Sequence, residues 1–157
     1  MNNVDQYVNQ LVDNFRHLIE TFKKYNIRHI PNIGQGFIEV AFVIDDIHAS
    51  ACRQRSDVTC KRIKNYFAYI IETKGNVDSI KAELDMLLNS IPYQLHPDFT
   101  VTKKGDSYLV AMIIYDDDII NAIKNHINVD PRANMTVNIE KYNIGGVVWV
   151  KIAFEWQ

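Results

Sequence analysis

Residues 37–45, Phe37-Ile38-Glu39-Val40-Ala41-Phe42-Val43-Ile44-Asp45, decide how the chain is read. Ile38, Val40, Phe42 and Ile44 fall at every second position, the period of a strand with one face turned to a core. The run is entered from a turn, Ile33-Gly34-Gln35-Gly36, where glycine tolerates positive φ, and preceded by a strand from Arg28. That is a β-hairpin, and three later stretches repeat it. Tyr66–Lys74 (YFAYIIETK), Tyr108–Asp116 (YLVAMIIYD) and Val147–Glu155 (VVWVKIAFE) each follow a turn and end at or near an acid. Their turns are Lys64-Asn65, Lys103-Lys104-Gly105-Asp106 and Asn143-Ile144-Gly145-Gly146. Tyr108–Tyr115 is apolar on both faces, which predicts a central strand.

Helices are expected between the hairpins. Val4, Val8, Leu11, Phe15, Leu18 and Phe22 recur at three- and four-residue steps, predicting one amphipathic helix over 3–25. A short helix around Ile47–Ala51 is expected, with Asp45 or Asp46 as N-cap. Val77, Ile80, Leu84, Leu87 and Ile91 predict a helix stopped by Pro92. Asp116-Asp117-Asp118 opens a helix carrying Ile119, Ile123 and Ile127, and the acids are read as capping and dipole partners. The expected fold class is therefore α+β: a long N-terminal helix followed by repeated hairpin–helix units, building antiparallel sheet or sheets with helices on one side. One compact domain over 1–157 is expected, with pseudo-repeated halves at about 28–91 and 98–157.

Composition narrows the function classes. Of 157 residues, 47% are hydrophobic and 23% charged, values of a folded rather than a disordered chain. The net charge is −2, so nucleic-acid binding through bulk positive charge is excluded and only local patches qualify. No apolar run approaches the length of a membrane span. The first ten residues, MNNVDQYVNQ, lack an apolar signal core. A cytoplasmic setting follows as the expectation, with Cys52 and Cys60 as reduced thiols and no disulfide between them.

The densest positive charge lies at Arg53, Arg55, Lys61, Arg62 and Lys64, with Asp57 the only acid among them. Tyr66 starts the return strand beside this cluster, and Lys103 and Lys104 occupy the matching place in the next hairpin. Cations neutralise phosphates, and an adjacent aromatic ring stacks on an unpaired base. The leading expectation is a non-enzymatic nucleic-acid-binding module, RNA or single strands favoured. The seven cations would contact phosphates, and Tyr66 would stack. No RNP-type aromatic motif, GxxG loop or CxxC…H arrangement accompanies them.

A second expectation comes from another class. Asp57-Val58-Thr59, followed across a hairpin by Glu72-Thr73-Lys74, resembles the D…ExK pattern of the PD-(D/E)xK nuclease superfamily. The resemblance covers only the stretch from Asp57 to Lys74, and Ser56 stands where proline is typical. It implies Mg²⁺ held by Asp57 and Glu72, with Lys74 orienting water. A third expectation is a structural or adaptor protein of viral type, self-assembling through the N-terminal helix or a sheet edge. No cofactor is expected outside the Mg²⁺ of the nuclease reading. His48-Ala49-Ser50 resembles half of a two-histidine phosphoesterase motif, but neither His96-Pro97-Asp98 nor His126-Ile127-Asn128 completes it. His48, Cys52 and Cys60 lack a fourth zinc ligand, so a satisfied core histidine and buried thiols are expected.

Overall fold

The computed structural model describes residues 3–91, 95–128, 130 and 135–156. In chain order the elements are α1 (Asn3–Lys24), β1 (His29–Gly34), β2 (Phe37–Val43), α2 (Ile44–Cys52), β3 (Thr59–Ile63) and β4 (Tyr66–Thr73). They continue as α3 (Val77–Asp85), a 3₁₀ turn (Met86–Leu88), β5 (Asp98–Lys104), β6 (Ser107–Tyr115), α4 (Asp116–Ile127), β7 (Thr136–Ile144) and β8 (Val147–Glu155). The chain is α+β, with each helix followed by a hairpin. Two four-stranded antiparallel sheets form, ordered β1-β2-β8-β7 and β3-β4-β6-β5.

In both sheets the second arms of two hairpins pair with each other and the first arms lie at the edges. Burial explains this. The apolar runs are the second arms, so placing them centrally covers them on both sides. Ile38, Val40 and Phe42 of β2 lie opposite Phe154, Ile152 and Val150 of β8, and all six are fully buried. In the second sheet Tyr69 and Ile71 of β4 lie opposite Met112 and Val110 of β6, again buried. Each sheet takes one hairpin from 28–91 and one from 98–157. One continuous core results, shared by both inner sheet faces and by Leu11, Phe15, Leu18 and Phe22 of α1.

Helix ends depart from the sequence expectation. α2 begins at Ile44 with no loop after β2; its N-cap is Val43, which gives no side-chain cap. Asp46 is occupied elsewhere, accepting from the Arg28 backbone at 2.9 Å and from its guanidinium at 2.8 and 2.9 Å. α4 likewise starts directly after β6, capped by Tyr115 without a side-chain bond. Unlike α2 and α4, α3 has a side-chain cap, Asn76, which accepts from the amides of Asp78 and Ser79. The helix expected up to Ile91 tightens at Met86–Leu88 into a 3₁₀ turn, where consecutive Leu87 and Leu88 are both buried. Pro92, expected to stop it, lies outside the described residues.

The expectation of reduced thiols is overturned. Cys52 ends α2, and Cys60 faces inward on β3; their Cα atoms are 6.5 Å apart and their sulfurs are bonded. The turn 53–58 folds the chain back so that eight residues of separation close to disulfide reach. No free cysteine remains. The double substitution Cys52→Ser with Cys60→Ser is expected to lower the unfolding free energy by about 2.5 kcal/mol, the loop-entropy value for so short a ring. Urea titration of the oxidised parent and the variant measures it, and alkylation followed by intact mass is expected to find no free thiol in the parent.

Candidate functional site

β3 is an edge strand whose side chains alternate between two sides. Lys61 and Ile63 point outward, while Cys60 and Arg62 point toward the helices. Arg62 is a bridge. One guanidinium nitrogen meets Asp116 at 2.8 and 2.9 Å, and the other bonds Asp45. These are the first-turn acids of α4 and α2, so one cation serves two helix starts. Its guanidinium also lies over the Phe67 ring at 5.7 Å. The amide of Asp116 donates to the carbonyl of Asn65 at 2.9 Å, fixing the β3–β4 turn to the same point.

Beneath Arg62 lies His48, with no exposed surface. Its ring stacks on Phe67, 4.1 Å between centroids and 4° from parallel. Nδ1 is 2.5 Å from the Tyr69 hydroxyl, and Nε2 is 3.7 Å from Asp116 Oδ1, beyond a hydrogen bond. The neutral ring carries one proton. On Nε2 it faces the Asp116 carboxylate, leaving Nδ1 to accept from Tyr69. Burial, then the charge of Arg62, pushes the His48 proton affinity down despite Asp116. Burial opposes ionisation of Asp116, but His48 and Arg62 outweigh it and hold the carboxyl below its usual range. Burial pushes the Tyr69 hydroxyl up, so it stays protonated.

Above this network opens a cleft of about 200 Å³, lined by Ile44, Asp45, Arg62, Lys64, Asp116, Lys141, Val148 and Val150. Two helix starts and the tips of the β3–β4 and β7–β8 hairpins meet there. Lys141 reaches Asp117 at 3.2 Å. Around the corner, on the outer face of the second sheet, Tyr66 lies opposite Tyr115 in register, with ring centroids 5.6 Å apart and planes 55° tilted. Tyr115 is 37% exposed and Ile63 38%. Ile70, Leu109, Ala111 and Ile113 continue this half-exposed face along β4 and β6.

The basic residues divide into committed and uncommitted groups. Arg55 is tied to Asp57 by two bonds of 2.7 Å and to Glu83 at 3.1 Å. Arg62 is the bridge described above, and Lys104 approaches Glu72 at 3.9 Å. Arg53, Lys61, Lys64 and Lys103 make no ion pair among the described residues. The two basic tips do not meet. Because β4 and β6 run antiparallel, Tyr66 pairs with Tyr115 at one end and Thr73 with Tyr108 at the other. Lys64 and Lys103-Lys104 therefore lie at opposite ends of the sheet, roughly 25 Å apart at about 3.4 Å per residue.

The nuclease residues are similarly dispersed in role. Asp57 is engaged by Arg55, and Glu72 points outward beside Lys104; Lys74 follows β4 and makes no ion pair among the described residues. Among the described residues no three His, Cys, Asp or Glu side chains gather to hold a metal. Cys52 and Cys60 are bonded to each other and supply no thiolate. Two features escaped the sequence reading: Tyr115, visible there only as the end of an apolar run, and the Arg62–Asp45–Asp116 bridge. Both depend on strand pairing between distant hairpins. Comparison with protein-family models, with characterised proteins and with solved structures finds no match.

Two outcomes follow from the network. Arg62→Met leaves Asp45 and Asp116 without their cation and is expected to cost about 2 kcal/mol, read from urea midpoints. His48 binds its proton more weakly folded than unfolded, so its contribution to stability is complete above about pH 6.5 and is lost as pH falls below it. His126 acts in the same direction. Urea midpoints are expected to fall between pH 6.5 and 5, and His48→Gln is expected to flatten that slope, leaving the part due to His126.

Proposed function

We propose that the protein binds single-stranded nucleic acid, RNA being the first candidate, on the outer face of the second sheet where β4 begins and β6 ends. The observation that carries this reading is the Tyr66–Tyr115 pair, set side by side on a rigid sheet and flanked by the unpaired cations Lys61 and Lys64. Aromatic rings on central strands are platforms for bases, and neighbouring cations take the phosphates. Lys64 adds a second argument. It holds φ +50 in the hairpin turn, a region glycine enters freely and lysine does not. A lysine kept at a strained position at the tip of the most basic hairpin fits a role beyond making the turn.

Arg55, Arg62 and Lys104 leave the proposed contact set, because their charge is met internally. Lys103 lies too far along the sheet to share a short strand with Tyr66. Cleavage through Asp57, Glu72 and Lys74 has less support, since cations already meet both acids.

The test is fluorescence anisotropy with a labelled single-stranded oligonucleotide, titrated with salt. Tyr66→Ala and Tyr115→Ala are each expected to weaken binding by about 5- to 100-fold, the worth of one stacked base. Lys61→Gln with Lys64→Gln is expected to lower the slope of log affinity against log salt by about 1.4. Lys103→Gln is expected to change little. Lys64→Gly separates folding from binding: it relieves the positive φ and is expected to raise stability by up to about 1 kcal/mol while weakening binding. Absence of binding in the parent overturns the reading. Concentration-dependent self-association that Tyr115→Ala abolishes would instead identify this face as a contact between copies.

A further inference from the structure

Five histidines occur in the chain, and two of them meet away from the site above. His17 lies in the C-terminal half of α1 and His126 in the last turn of α4. His17 Nδ1 and His126 Nε2 are 3.4 Å apart. As a hydrogen bond that contact is a long one, past the roughly 2.7–3.2 Å usual from an N–H donor to oxygen. It is the separation expected of two ligands on one ion. Nitrogens about 2.05 Å from a tetrahedral Zn²⁺, at the tetrahedral angle, stand about 3.3 Å apart.

From this spacing we propose that His17 and His126 form a two-histidine site for a borderline divalent cation such as Zn²⁺, clipping α1 to α4. The imidazoles do not depend on flexible segments for their placement. Phe15 and Leu18 of α1 and Ile123 and Ile127 of α4 are buried beside them. The Asn14 side chain donates to the Ile127 carbonyl at 3.1 Å, locking the register of the two helices. The site is solvent-accessible, so water can complete the coordination sphere. The last turn of α4 presents the negative end of the helix dipole, which favours a cation there. A ligating imidazole must be neutral. With two protein donors and no third His, Cys, Asp or Glu grouped with them, the site is an accessory clip and not a closed structural zinc centre.

Isothermal titration of the untagged protein with ZnCl₂ at pH 7.5 tests this, alongside thermal unfolding with and without the metal. Saturable binding of one Zn²⁺ per chain and a higher unfolding midpoint in its presence are expected. His17→Ala and His126→Ala should each abolish both effects, and His96→Ala should abolish neither. His17→Gln guards against a folding artefact: it must retain the metal-free midpoint of the parent and still lose the binding. Proton competition is expected to remove the binding as pH falls below about 6. Absence of saturable binding in the parent, or binding that survives both alanine substitutions, overturns the proposal.

Discussion

A single guanidinium holds the middle of the molecule. β2 and β6 pass straight into α2 and α4 without a loop, so two helix starts and their first-turn acids are brought together. Asp45 and Asp116 suit the helix dipoles individually, yet two carboxylates side by side repel each other and lose water as the hairpins close over them. Arg62 resolves both problems, bonding each acid while its guanidinium lies over the Phe67 ring. Arginine suits this role better than lysine, because its fork reaches two acids at once and its flat face tolerates an aromatic neighbour. The bridge also explains why β3 stays fixed although it is a short edge strand. It is held at one end by Arg62 and near its start by the bond from Cys60 to Cys52.

Much of the fold was legible from local pattern. Period-two runs with glycine or polar turns marked all four hairpins, and three- and four-residue spacing marked α1 and α4. The partners of the hairpins were not legible. Any two of the four second arms could have paired on composition alone, since each is a short apolar run with an acid near its end. Which of them meet is decided by packing of the whole core, through matches such as Ile38 with Phe154 and Tyr69 with Met112. The helix caps failed for a related reason. Asp45, Asp46 and Asp116 have the chemistry of N-caps, but each found a cation from a distant segment, and the capping places went to Val43 and Tyr115. The disulfide was hidden because eight residues of separation say nothing about the turn that brings Cys52 and Cys60 together.

The site was legible to a smaller extent. Counting cations along 53–64 overstates the charge offered to a ligand, because a side chain on a strand has two destinations. Alternate positions sent Lys61 to solvent and Arg62 inward, while Arg55 found its own acids in Asp57 of the same loop and Glu83 of α3. Lys61, Lys64 and an aromatic pair are what survive on this end of the sheet. Half of that pair, Tyr115, belongs to a strand about fifty residues away, and no local pattern connects it to Tyr66.

The buried network and the outer face are mechanically one object. The Asp116 backbone holds the Asn65 carbonyl, its carboxylate holds Arg62, and Arg62 in turn donates to the Lys64 carbonyl at 3.3 Å. Tyr115, the residue just before Asp116, carries the ring that faces Tyr66. Any change that weakens the Arg62–Asp116 pair therefore acts on the turn that presents Lys64 and on the strand end that presents Tyr115. Protonation of the buried His48 is such a change, since it sets a second positive charge 3.7 Å from the Asp116 carboxylate that Arg62 holds. The exposed platform thus depends on charges that no ligand would touch, and the geometry of its two tyrosines is set from within the core.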